Sequence, residues 1–98
     1  MLSNYLVLIS DTLYMNILPE DTLNWENVMV NLRSGCQTKI SPEITHRHDV
    51  SVVASGGCIL VFGGRRRDID FVYDYCEMYN PKTDRRVNGS VLHLSFKL

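Results

Sequence analysis

Residues 51–70 read SVVASGGCILVFGGRRRDID. Two apolar runs each end in a glycine doublet, Gly56-Gly57 and Gly63-Gly64, and three arginines follow the second. Short runs rich in Val, Ile, Leu and Phe, bounded by glycine, read as strands. Ser55-Gly56-Gly57 between two of them predicts a hairpin, because glycine supplies the positive φ of a tight turn. The run Cys58–Phe62 is apolar at every position, so it packs on both faces and belongs inside a sheet. The second doublet admits two readings. A phosphate cradle needs a G-x-x-x-x-G-K-S/T pattern or a helix whose N-terminus faces the anion, and the sequence offers neither. A strand end where only glycine fits is the better account.

Outward from this stretch the same texture continues. No window sustains apolar residues at helical spacing behind a cap. Strands are expected at residues 5–9, 13–17, 24–30, 49–54, Cys58–Phe62, 73–79 and 85–87. Ser10-Asp11-Thr12 and Asn80-Pro81-Lys82-Thr83-Asp84 are turns, with Pro81 fixing φ and Asn80 bonding its local backbone. A polar segment at 31–46 is expected to be a connecting loop. The predicted class is all-β, antiparallel and hairpin-connected.

The 98 residues allow one small domain at most, and the apolar share of 45% argues against disorder. A net charge of −1 gives no global attraction to nucleic acid or to an anionic membrane. Three cysteines without a CxxC pair suit neither a disulfide framework nor a zinc site, so free thiols in a reducing compartment are expected. The apolar run near the N-terminus is too short for a signal peptide core, and no run approaches a membrane span. A cytoplasmic chain is expected. Asn88-Gly89-Ser90 is a glycosylation triplet of a kind common by chance.

The sequence also repeats itself. NYLVLISDTLYMNILPEDTLNWENV aligns with GCILVFGGRRRDIDFVYDYCEMYNPKTDRRV, which sets Trp25 against Arg86. Each copy runs through an apolar strand, a break, a strand carrying Tyr, a Pro-containing turn and a short strand. A period near 50 with four strands per unit points to a propeller blade.

RHDVSVVASGGCILVFGG followed by YDYCEMYNPKTDRR resembles a kelch repeat. The shared features are Arg-His, an inner strand, a Gly-Gly hairpin, a second strand closing on Gly-Gly, a variable loop, and a strand ending in Tyr-Asn-Pro-Lys-Thr. The family usually carries Trp seven positions after the Tyr, where this sequence has Arg86 after Tyr79. The resemblance implies antiparallel kelch-type β-propeller blades, about two of them, forming an incomplete propeller. Residues 1–30 would be a partial blade, 31–46 an inter-blade loop, 47–87 a complete blade and 88–98 an atypical tail. Other blades or another chain would be needed to close the ring, as for a fragment or truncated copy.

The resemblance further implies a protein–protein interaction module, with substrate recognition for a cullin-type ubiquitin ligase as its finer form. A non-functional truncated copy and a fragment of a kelch-propeller enzyme, an oxidase or sugar isomerase, are the alternatives. Family partners are often held by the loop after the glycine doublet and by inter-blade loops. Carried over, the partner-binding residues are Arg65, Arg66, Arg67 and Asp68, with Thr45, His46, Arg47 and His48. Arginine suits a carboxylate-bearing peptide through bidentate bonds. The competing account of Arg65-Arg66-Arg67 is a solvated loop whose ion pairs contribute little. Gly56, Gly57, Gly63, Gly64, Tyr79, Pro81 and Trp25 are expected to be structural.

His46 and His48 would share one strand face, as metal ligands can, but no Cys, Asp or Glu is spaced to complete a site. Cys58 and Cys76 fall in core strands, where thiols behave as small apolar groups, and nothing brings a base to either. No catalytic residue, cofactor, metal, nucleic-acid or membrane partner is expected.

Overall fold

The computed structural model describes residues 2–44, 46–66, 71–72 and 75–90. The chain divides into two compact units, Met1–Pro42 and Glu43–Leu98. Every described element is a strand, and each unit carries an open antiparallel four-stranded sheet. This is the all-β, blade-like architecture expected of about two repeats.

In the first unit the strands follow one another in space as in sequence: β1 (Leu2–Ile9), β2 (Thr12–Leu18), β3 (Glu26–Asn31) and β4 (Gln37–Lys39). Ile9 faces Thr12 across a two-residue turn, and Ser10 takes the positive φ of 55° that such a turn demands. Tyr14, Ile17 and Val28 are buried. Beside them runs a polar ladder: Asn16 Nδ2 and the Tyr5 hydroxyl both donate to Asn27 Oδ1, at 3.2 and 3.1 Å. Buried amides of this kind require such partners.

Within the first unit, one strand appears where the sequence predicted a loop, as the short strands Arg65–Arg66 and Phe71–Val72 do in the second. β4 lies inside residues 31–46, so the first sheet has four strands rather than three. Its three residues are all exposed on an outer edge, and therefore show no apolar pattern to read. The turn that delivers it is built by Asn31. Its Oδ1 accepts from the backbone N–H of Arg33 at 2.9 Å and of Ser34 at 3.1 Å. The Gly35 N–H then closes onto the Asn31 carbonyl at 2.7 Å. An Asx turn followed by a glycine is a sequence-level reversal signal.

The second unit has the spatial order β10-β9-β6-β5, from β5 (Ser51–Ser55), β6 (Cys58–Phe62), β9 (Tyr75–Asn80) and β10 (Arg85–Ser90). A two-stranded pair, β7 (Arg65–Arg66) and β8 (Phe71–Val72), stands in the connection between β6 and β9. β6 is an interior strand, with Ile59, Leu60 and Val61 buried, as its unbroken apolar run requires. Ser55 pairs with Cys58 across Gly56-Gly57, whose φ values are 58° and 78°. Two successive positive φ angles define the type I′ hairpin that matches strand twist.

Asn80 pairs with Arg85 around the loop 81–84, opened by half-buried Pro81. Asn80 Oδ1 accepts from the Lys82 N–H at 3.0 Å, and the buried Tyr79 hydroxyl donates to Asp84 Oδ1 at 2.9 Å. Trp25, half-buried, enters β3 in the first unit.

Candidate functional site

The exit of β6 forms a corner in the second unit, and Arg47 holds it from inside. Arg47 is 2% exposed. Its Nη1 donates to the Gly63 carbonyl at 2.7 Å and its Nη2 to the Val61 carbonyl at 3.2 Å. Gly64 then passes so close to the preceding segment that a Cβ would lie 2.7 Å from Val50 Cγ1, 2.8 Å from the His48 carbonyl oxygen and 2.9 Å from Arg47 Cβ. Its φ of 87° disfavours a side chain as well. Beyond the glycine, His48 and Arg65 exchange both backbone hydrogen bonds, each 2.9 Å.

This clamp directs Arg65 and Arg66 outward, and both are exposed. Arg65 Nε donates to Asp49 Oδ2 at 2.9 Å, with both side chains more than half exposed. A pair so open to water contributes little to stability and can be exchanged for another carboxylate. Asp49 itself has φ 56°, which turns the chain just before β5. His46 Nδ1 lies 2.9 Å from Glu43 Oε2, and the His46 and His48 rings meet edge to face at 4.6 Å.

The residues singled out in the sequence therefore separate. His46, His48, Arg65 and Arg66 gather around the corner. Arg47 does not offer its guanidinium outward; its placement is corrected to a buried clamp, because two backbone carbonyls of the β6 exit need a donor there. Thr45, Arg67 and Asp68 lie outside the described residues, as does Tyr73. Among the described residues no three His, Cys, Asp or Glu side chains converge as a metal site would require.

Sequence reasoning missed a buried ion pair. Arg86 Nη1 lies 3.1 Å from Glu77 Oε1, with side chains 2% and 1% exposed. The Arg86 guanidinium also stacks over the Tyr79 ring, 4.5 Å from its centroid. Glu77 Oε2 accepts the Ile44 backbone N–H at 3.1 Å, which fastens the segment leading to the corner. Burial pushes the Glu77 carboxyl above the ordinary carboxylate range; the Arg86 charge opposes this, and Glu43 adds to it. The signal was Arg86 standing where the repeat pattern has Trp, with a carboxylate two residues before Tyr79. Cys76 is buried, and burial raises its thiol, with Arg47 opposing; a neutral thiol is a poor nucleophile.

A glycine corner, an inner hairpin and an outer hairpin on one four-stranded antiparallel sheet define a blade of the repeat class that builds propellers. Residues 46–90 match the family model described as Kelch motif. The second unit thus carries a kelch motif. No curated protein matches the chain. The kelch motif is in general a protein-interaction repeat, typically without catalysis. Among the described residues no helix is long and apolar enough to cross a membrane.

Proposed function

We propose that the chain binds a protein partner at the corner formed by His48, Asp49, Arg65 and Arg66, and that the partner presents an acidic, extended segment. The observation that carries this reading is the bond from Arg65 Nε to Asp49 Oδ2, 2.9 Å long and open to solvent. It is a carboxylate contact already formed on a rigid backbone bridge, in a place a partner can reach. A partner carboxylate would replace Asp49 and gain the exposed Arg66 beside it. Arginine is suited to this by its planar fork of donors.

Substrate recognition for a cullin-type ubiquitin ligase, in the cytoplasm, is the setting the kelch repeat favours. That setting rests on the general use of the repeat, since function resides in sites grafted on a fold. The Arg86–Glu77 pair supports a maintained blade rather than a decayed copy. The cation that replaces tryptophan has a buried counter-charge and an aromatic face, which a random substitution would lack.

The test is a titration of the chain with a fluorescent acidic peptide, followed by anisotropy. Arg65→Ala is expected to weaken binding about tenfold, the loss of roughly one charge-assisted contact. Unchanged affinity removes the corner as the binding surface.

A further inference from the structure

Among the described residues the two four-stranded sheets have four outer strands, and three of them are guarded. β1 carries a register break between Ser3 and Tyr5. β4 is three residues long and ends in Lys39. β10 opens on the exposed Arg85 and contains Gly89. Bulges, short length and charge are the usual means by which sheets block strand addition. β5 has none of them. Its sequence is Ser-Val-Val-Ala-Ser, without charge or proline, and it pairs with β6 in unbroken register from Ser51↔Phe62 to Ser55↔Cys58. Ser51, Val53 and Ala54 are exposed.

We propose that β5 is a pairing edge and that its occupant is β5 of a second copy of this chain. The hairpin register sets which groups are available. A two-residue type I′ turn closes on a hydrogen-bonded pair, here Ser55 with Cys58, and bonded pairs alternate from there. Val53 and Ser51 therefore bond inward to β6. The N–H and C=O groups of Val52 and Ala54 face the open side. The segment is also nearly palindromic about Val53. An antiparallel copy centred there sets Val53 against Val53, Val52 against Ala54 and Ser51 against Ser55. Each pair is small, uncharged and compatible with the pleat, and the contact closes on a twofold axis. The new ladder would hold about four backbone hydrogen bonds, from the two Val52–Ala54 pairs.

Sedimentation of the intact 98-residue chain over a range of concentrations tests the pairing, together with amide hydrogen exchange. The mass is expected to rise from 11.3 kDa toward about twice that value. The Val52 and Ala54 amides should slow about tenfold over the same range, while amides in β4 keep their rates. Ala54→Pro removes an outward N–H without touching the β6 ladder, and should restore the monomer with strand content intact. Ala54→Lys serves the same end if the proline unfolds the sheet. A chain that stays monomeric to about 1 mM overturns the proposal. So does a dimer in which Val52 and Ala54 gain no protection. Protection of these amides in a monomer by a foreign extended peptide would overturn the assignment of a second copy as the occupant.

Discussion

Replacing Arg86 by methionine tests how the second unit holds its sheet. At 3.1 Å the Arg86–Glu77 attraction is about 5 kcal/mol in an effective dielectric of about 20. Much of that offsets the desolvation of the two charges. Removing only the cation strands a carboxylate that is 1% exposed, and breaking a buried pair in this way costs about 3–5 kcal/mol. Methionine keeps apolar contact with the Tyr79 ring, so the loss reports charge rather than packing. The loss must also depend on pH. The folded chain holds a proton on Glu77 at pH values where the unfolded chain has released it. Stability from this group is thus fully present below the unfolded carboxylate pKa and declines as pH rises through the folded one. Without Arg86 the chief influence lowering that carboxyl is gone, and the decline is steeper. Urea unfolding followed by circular dichroism should show Arg86→Met destabilised by about 3 kcal/mol near pH 7 and by clearly less near pH 5. The double variant Glu77→Gln with Arg86→Met keeps an acceptor for the Ile44 N–H and should recover most of the loss. A single variant within about 1 kcal/mol of the parent near pH 7, or a loss that grows on acidification, would refute the argument.

Other consequences follow from the same contacts. Gly64→Ala should cost about 2–4 kcal/mol, from overpacking against Val50, His48 and Arg47 plus an unfavourable φ. Thermal unfolding reads this directly, and a shift within error would mean that the corner yields easily. Tyr79→Phe loses the bond to Asp84 and should cost about 1 kcal/mol. Its measured loss should disappear in an Asp84→Ala background, since the two groups form one interaction.

Both four-stranded sheets were legible apart from β4, while the β7–β8 pair was not. Cys58–Phe62 was bounded correctly because glycine doublets frame an unbroken apolar run, and both signals are local. The β9–β10 turn was legible for the same reason, with Asn80 and Pro81 fixing its geometry. β4 was hidden because a short edge strand exposed on all sides needs no apolar residue. Arg47 was misplaced because an Arg-His pair next to a loop looks like surface, and only the fold shows that the Gly63 and Val61 carbonyls call for a buried donor. Glu77 and Arg86 stand nine residues apart on neighbouring strands. Their register across the hairpin, and the burial of both, emerge only in three dimensions.

In the proposed function this kelch motif presents a rigid, basic corner to an acidic partner. Backbone amide shifts of the labelled chain, recorded as an acidic extended peptide is added, test it most directly. The account predicts that the largest shifts fall at His48, Asp49, Arg65 and Arg66, with the β1–β4 amides unmoved. Saturable shifts centred on another strand or loop, with these four unmoved, would contradict it.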